Sequence, residues 1–413
     1  TLIFIAYLFG GLNRGCIVIN LSTEIIKMYS KLAHPFEPTK LIISLLSSCI
    51  LAGSMMGSFI CSPLILKLGR KRTLIFASAL SFVTVCFQML EIHWIYLLSV
   101  RVFSGTASSI IMTTMPMLFS EFVDPKLRGI FASMMNLFIV LGTFITCVVQ
   151  YFIIDLDTNY PIIFVASASC SLGSFFCSLV VQESNANLVQ KEIKRESLKQ
   201  KKFAKSFVIA VALGLYQQSS GINPIINYAT LTFREALDIP KSGAIGAMMI
   251  TAMNTFSAVI TLPFVKRLRR KTLMTVGLIG QNCSFVGLIC IYFFVQDKNT
   301  NFYLQLIFSF TYLLSFQSAA GPLFLVLASE LFPLSVKPQL MNITMFVNWC
   351  LIIASTMLYP ILQLWVNYVL YFILSLITTV VLLVMIPETS GRRFSVIERE
   401  MVKRKESMQN EQG

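Results

Sequence analysis

The chain has 413 residues, of which 56% are hydrophobic and 13% charged, with a mean hydropathy of +0.75; a soluble globular chain carries about 25% charged residues. A water-soluble fold cannot hide that much apolar surface. The net charge of +14 falls in short clusters between long apolar runs, not along one face, which excludes a nucleic-acid partner and points to membrane topology.

A helix needs roughly 20 mostly apolar residues to cross a bilayer, and most of the chain consists of such runs. In chain order they are 2–22, 41–62, 73–91, 95–118, 129–153, 160–182, 206–232, 243–265, 272–295 and 303–328. The run 339–387 carries no charge and is too long for one crossing; Pro360, Gln363 and Asn367 mark its turn, so it supplies two helices and brings the total to twelve. No cleavable signal precedes the first run, which begins at Thr1, so the natural amino terminus is expected upstream. The ten cysteines lie mostly inside apolar stretches without paired spacing and read as small hydrophobes, with no metal site or cofactor implied.

Orientation follows from lysine and arginine in the short loops. Of the 33 basic residues, 25 fall in even-numbered loops or the carboxyl-terminal tail, which places those segments in the cytoplasm. The longest loop, 183–205, is rich in Lys, Glu, Ser and Gln and divides the spans six and six. The expected organisation is therefore an amino-terminal six-helix bundle (1–182), a cytoplasmic linker (183–205), a second six-helix bundle (206–388) and a cytoplasmic tail (389–413). The halves also echo one another. Lys67, Arg70, Lys71, Arg72 and Thr73 after the second span match Arg267, Arg269, Arg270, Lys271 and Thr272 after the eighth. Ser120, Glu121 and Pro125 after the fourth match Ser329, Glu330 and Pro333 after the tenth. A parallel repeat about an axis normal to the membrane marks one large transporter class.

An ordered set of motifs along essentially the whole chain resembles the sugar porter branch of the major facilitator superfamily, which includes the facilitative glucose transporters. The set comprises Gly69-Arg70-Lys71, Arg101 and Gly105 in span four, Glu121 with Pro125 and Arg128-Gly129, and Gln217-Gln218-Ser219-Ser220-Gly221-Ile222-Asn223 in span seven. It continues through Gly321-Pro322 with Glu330, Asn348-Trp349, and Pro387-Glu388-Thr389-Ser390-Gly391-Arg392. The fold implied is all-α, with twelve transmembrane helices in two six-helix bundles. The chain departs from the pattern at Glu183-Ser184 with Ala186 in place of an arginine, at Leu325 for a tryptophan, at Asn227-Tyr228 for a tyrosine pair, and at Lys266 for an acid.

Sugar hydroxyls both donate and accept hydrogen bonds, and an uncharged amide answers both roles without a charge to desolvate. Gln217 and Gln218 precede Asn223 in span seven, and Gly221 with Pro224 predicts a break in that helix that turns these amides toward one cavity. An isolated amide in a span can equally serve helix contact. The resemblance implies that Gln217, Gln218, Asn223 and Asn254 bind the sugar, with Asn136 where the family usually has a glutamine, and that Phe316, Trp349 and Tyr228 supply aromatic faces. It also implies an inner gate of salt bridges, with Glu121, Glu330, Glu183 and Glu388 opposite Arg70, Arg128, Arg270, Lys271 and Lys337. Arg14 in span one has no evident partner in the sequence.

The function implied is facilitative, alternating-access transport of a monosaccharide, a hexose such as glucose, by a monomer in the plasma membrane. Proton-coupled sugar or polyol symport is the alternative and needs a titratable group in the path. None of the 19 acids falls at the middle of a predicted span; Asn13 stands where proton-coupled relatives carry an aspartate, and His34 and His93 lie in outer loops. A transporter-like nutrient sensor is a third reading. No nucleophile–base pair, metal cluster or phosphate-cradling loop argues for an enzyme. The basic bias makes one outcome measurable: Lys199→Cys in loop 183–205 should stay unreactive toward an impermeant thiol reagent applied to intact cells. Labelling from outside would reverse the topology.

Overall fold

The computed structural model describes residues 2–20, 26, 39–90, 92–122, 128–153, 160–181, 203–234, 242–267, 269–332 and 336–385. These residues fold as helices α1 (Leu2–Ile19), α2 (Lys40–Leu68), α3 (Arg70–Gln88), α4 (Trp94–Phe122) and α5 (Arg128–Ile153), followed by a short 3₁₀ turn (Tyr160–Phe164) leading into α6 (Val165–Val180). The seventh span is divided into α7 (Ala204–Ser219), α8 (Ile222–Asn227) and α9 (Ala229–Arg234). Then come α10 (Ser242–Arg267), α11 (Arg270–Phe294), the divided tenth span α12 (Lys298–Ser318) and α13 (Ala320–Leu331), α14 (Lys337–Leu358) and α15 (Leu364–Met385). Each predicted apolar run carries helix among the described residues. A lipid interior leaves the backbone no other way to satisfy its N–H and C=O groups within one segment.

By length and composition alone, eight of these helices can cross a membrane, and Phe4–Ile19 is a shorter apolar helix. Spans three, seven and ten do not meet that criterion; seven and ten are each broken, a feature the sequence predicts for span seven only. In span ten the break falls at Ala319 (φ −122°, ψ −79°), just before Pro322, which has no N–H to offer the carbonyl of Ser318. Large apolar side chains such as Leu66, Phe152, Phe294 and Val384 point outward. Hydroxyls turn inward, where Ser78 meets Ser174 at 3.2 Å and Ser81 meets Ser171 at 3.1 Å between α3 and α6. This inside-out arrangement is the one a lipid solvent favours.

Packing repeats between the halves. In the first, α1 lies against α4, α5 and α6, α2 against α4, and α3 against α4 and α6; in the second, α7 lies against α13, α14 and α15, α10 against α12, and α11 against α12 and α15. The principal contacts between halves, α5 with α10 and α2 with α14, exchange roles under the same pseudo-twofold relation. Pro63 and Pro263 occupy the last turns of the corresponding α2 and α10. Gly69, at φ +82°, joins α2 to α3 in a backbone region that only glycine enters freely.

The α2–α4 crossing is close enough to exclude side chains. A Cβ on Gly53 would stand 2.0 Å from the carbonyl oxygen of Val102, and one on Gly105 would stand 2.0 Å from that of Ile50. Neither clash can be relieved by a rotamer change, because the obstacle is backbone. Gly53→Val should therefore destabilise the protein by about 1–3 kcal/mol, the usual cost of overpacking, and lower its apparent melting temperature in detergent. Gly280→Ala, facing the rotatable Ser315 hydroxyl, should lower it less. Equal melting of both variants would show that the crossing relaxes freely.

Candidate functional site

Gly221 joins α7 to α8 with a left-handed φ of +69°, and a Cβ there would lie 2.6 Å from the Tyr371 ring. The break frees the Ser220 carbonyl, which accepts from the Tyr312 hydroxyl at 2.7 Å. Asn223 Nδ2 donates to Gln218 Oε1 at 2.9 Å, and Gln218 Nε2 donates to Asn348 Oδ1 of α14 at 2.9 Å. Gln218 and Asn348 are buried, whereas Gln217 and Asn223 are half-buried, so the latter two keep surface for a ligand.

A second amide chain crosses between the halves. Asn136 Nδ2 of α5 donates to Gln317 Oε1 at 2.6 Å, and Gln317 Nε2 donates to Asn254 Oδ1 of α10 at 2.7 Å. Gln317 is 1% exposed and ends α12 just before the break at Ala319. The sequence reading does not contain it, although an amide beside Phe316 and four residues before Gly321 was the available signal. Four of the five predicted amides therefore join hydrogen-bonded chains, in which Gln317 and Asn348 are the further links.

The aromatic candidates divide. Trp349 faces the first half: its Nε1 donates to Ser58 Oγ of α2 at 3.0 Å, and the Arg14 guanidinium carbon lies 5.5 Å from its ring centroid. Phe316 is buried beside Gln317. Tyr228 is not brought to the amides. Its ring stacks on Tyr359 at 5.5 Å, and its hydroxyl donates to the Thr356 carbonyl at 3.1 Å, so its polar end is occupied by backbone near the far end of α14.

Arg70 and Lys271 occupy the first turns of α3 and α11, corresponding places in the two halves. Glu183 and Glu388 lie outside the described residues, as do the side chains of Glu121, Glu330, Arg128, Arg270 and Lys337. Asn13 is wholly buried; its Nδ2 donates to Ser81 Oγ at 3.0 Å, and its Oδ1 accepts from Ser171 at 2.8 Å. The arrangement is thus a set of neutral donors and acceptors at the meeting of two helix sets, suited to binding a polyhydroxylated molecule without chemical change.

The sequence model of the family described as "Sugar (and other) transporter" matches residues 17–201 and 189–401. The chain is 26% identical over 448 aligned residues to "Solute carrier family 2, facilitated glucose transporter member 1" of Gallus gallus, covering 94% of this chain and 89% of that one. It is 24% identical to the "Probable metabolite transport protein CsbC" of Bacillus subtilis (strain 168), with 90% of each covered. Among solved structures, the proton:xylose symporter XylE bound to 6-bromo-6-deoxy-D-glucose superposes with a TM-score of 0.79 at 18% identity, over 96% of this chain and 98% of that one. An inward-open XylE from E. coli gives 0.79 at 19% identity, over the same shares. The chain is a multi-pass integral membrane transporter, not an enzyme, and it belongs to the sugar porter family of the major facilitator superfamily.

Proposed function

We propose that the protein carries a monosaccharide, a hexose such as glucose, by facilitated alternating access, as a monomer in the plasma membrane with even-numbered loops and the tail in the cytoplasm. The observation that carries this reading is the pair of amide chains, Asn223–Gln218–Asn348 and Asn136–Gln317–Asn254, the second of which links the halves. A sugar entering here exchanges amide–amide bonds for amide–hydroxyl bonds one for one, at little desolvation cost. Gln217 completes the set on span seven, with Phe316 and Trp349 as apolar walls and Tyr228 acting through Tyr359. The moving bodies are residues 1–182 and 206–388, joined by linker 183–205 and followed by tail 389–413. The inner gate pairs Glu121, Glu330, Glu183 and Glu388 with Arg70, Arg128, Arg270, Lys271 and Lys337.

Equilibrative transport is favoured over proton coupling because Asn13 is an amide held by two serines. Among the described side chains, Asp297 is the only carboxylate, and it caps the start of α12 by accepting from Thr300 N at 2.8 Å. Two measurements test the reading. A non-metabolised hexose analogue should reach an inside-to-outside ratio near one; accumulation that collapses with a protonophore would establish symport instead.

The second measurement concerns affinity. Gln218→Ala, Asn223→Ala and Gln317→Ala should each weaken apparent hexose affinity roughly five- to tenfold, since a lost hydrogen bond costs about 1 kcal/mol and 1.4 kcal/mol is a factor of ten. Asn282→Ala should change affinity little. Its Nδ2 donates to the Leu278 carbonyl and the Thr379 hydroxyl, between α11 and α15. Unaltered affinity in all three variants at normal membrane levels would make the amides packing elements.

A further inference from the structure

Arg14 stands at mid-span with no counter-charge among the described residues. Its Nη1 donates to Ser54 Oγ at 2.7 Å and to Ser108 Oγ at 3.3 Å, and these serines are the central residues of the 29-residue helices α2 and α4. The α2–α4 glycine crossing brings the two hydroxyls together, and Trp349 of α14 covers the guanidinium from the other half. No carboxylate among the described residues approaches it. A charge at this depth costs about 2.5–3.5 kcal/mol on insertion scales, and such residues mark substrate or ion paths. Serine hydroxyls and an indole face lessen the cost but leave the charge uncompensated.

The geometry leaves one edge of the guanidinium open. Nε and Nη2 make no hydrogen bond to any described residue, and neither is among the buried polar atoms lacking a partner, so both keep accessible surface on a side chain that is only 9% exposed. These two N–H groups form the planar fork that grips both oxygens of a carboxylate. Trp349, whose ring faces the guanidinium, directly follows Asn348, the acceptor of Gln218, along α14. A second guanidinium shares this side of α4. Arg101, 0% exposed, donates Nε to the Leu46 carbonyl at 3.0 Å, and Nη1 and Nη2 make no nitrogen or oxygen hydrogen bond among the described residues. It precedes Ser108 by two helical turns, roughly 10 Å at 1.5 Å per residue, so the local potential is positive along α4.

We propose that Arg14 is an anion-binding group of the substrate site and that the preferred substrate is a monosaccharide acid, with its hydroxyls on the amides and its carboxylate on the Arg14 fork. This rests on the sugar reading of the amides and, within monosaccharides, shifts the preferred substrate from a neutral hexose to a sugar monoanion. Moving such a substrate carries net charge, which a neutral sugar does not.

The test uses purified protein in phosphatidylcholine vesicles, with labelled D-glucose and labelled D-glucuronate. Glucuronate should half-saturate at a concentration at least tenfold below glucose. An inside-positive potential should accumulate glucuronate and leave glucose at a ratio of one. Arg14→Gln should reduce the glucuronate-to-glucose preference tenfold or more, and Arg14→Lys should restore part of it. Should Arg14→Gln fail to reach the vesicle, the competition and the potential response of the unmodified protein decide alone. Glucose carried while a tenfold excess of glucuronate neither enters nor competes would overturn the anion site and leave the sugar reading standing. If neither compound moves, the sugar reading falls and the proposal with it.

Discussion

A bilayer interior offers no water, so each amide, hydroxyl and guanidinium inside these spans must find its partner within the protein or remain available to cargo. That constraint orders the molecule from the inside outward. Serines and threonines on helix interiors return their hydrogens to backbone carbonyls one turn earlier, as Thr73, Thr84 and Ser284 do, or meet one another between helices, as Ser58 and Ser109 do at 2.9 Å. The longer polar groups cannot be satisfied locally. Gln150 reaches the carbonyls of Ile19 and Asn20 that close the end of α1, and Gln218, Gln317 and Arg14 reach other spans altogether.

Close backbone approach makes those long reaches possible. Where α2 and α4 touch through Gly53 and Gly105, the single Ser54 hydroxyl proton lies within reach of the Ile50 carbonyl of its own helix and of the Gly105 carbonyl across the contact. The same contact sets Ser108 beside Ser54, so two hydroxyls converge on one guanidinium nitrogen. The α1–α5 contact works alike, with Gly15 against the Ile139 carbonyl and Gly142 against that of Leu12. Small residues here do what hydrophobic burial does in water, because lipid tails give helices no apolar reason to associate.

The parts of this structure that depend on local chain properties were legible in the sequence, and the parts that depend on distant contacts were not. Twelve spans follow from apolar length, and the break in span seven follows from Gly221 and Pro224. The break in span ten is not legible locally, because Ala319 carries no signature and Pro322, three residues later, matches the family pattern whether or not a donor is missing there. Gln317 stays hidden with it. Of the amides, Asn136 and Asn254 were chosen by likeness, yet what unites them is a glutamine 181 and 63 residues away, respectively. Tyr228 shows the limit of a local reading: an aromatic near a binding motif reads as a wall, and only the fold shows that its hydroxyl donates to the Thr356 carbonyl and its ring stacks on Tyr359. Arg14 could be flagged as unpartnered, but its serines lie on two other helices and its indole on a third.

The two halves share a packing plan but not a chemistry. Their equivalent first helices show it: α1 runs unbroken past Asn13 and Arg14, whereas its counterpart is cut at Gly221 and Tyr228 into three pieces, and two of its amides, Gln218 and Asn223, bond across the first cut. The second half consequently supplies the uncharged acceptors and donors, and the first half supplies Asn136, the serine seam and the buried cation. The bonds that join them cross at the two principal seams between halves, Asn136 to Gln317 beside α5–α10 and Trp349 to Ser58 at α2–α14. On the proposed reading, a molecule bound here competes with the bonds that hold the halves in this position. A cargo that satisfied Gln317 or displaced Trp349 from Ser58 would loosen a seam as it bound, which would couple occupancy to the relative placement of the two helix sets, as alternating access requires.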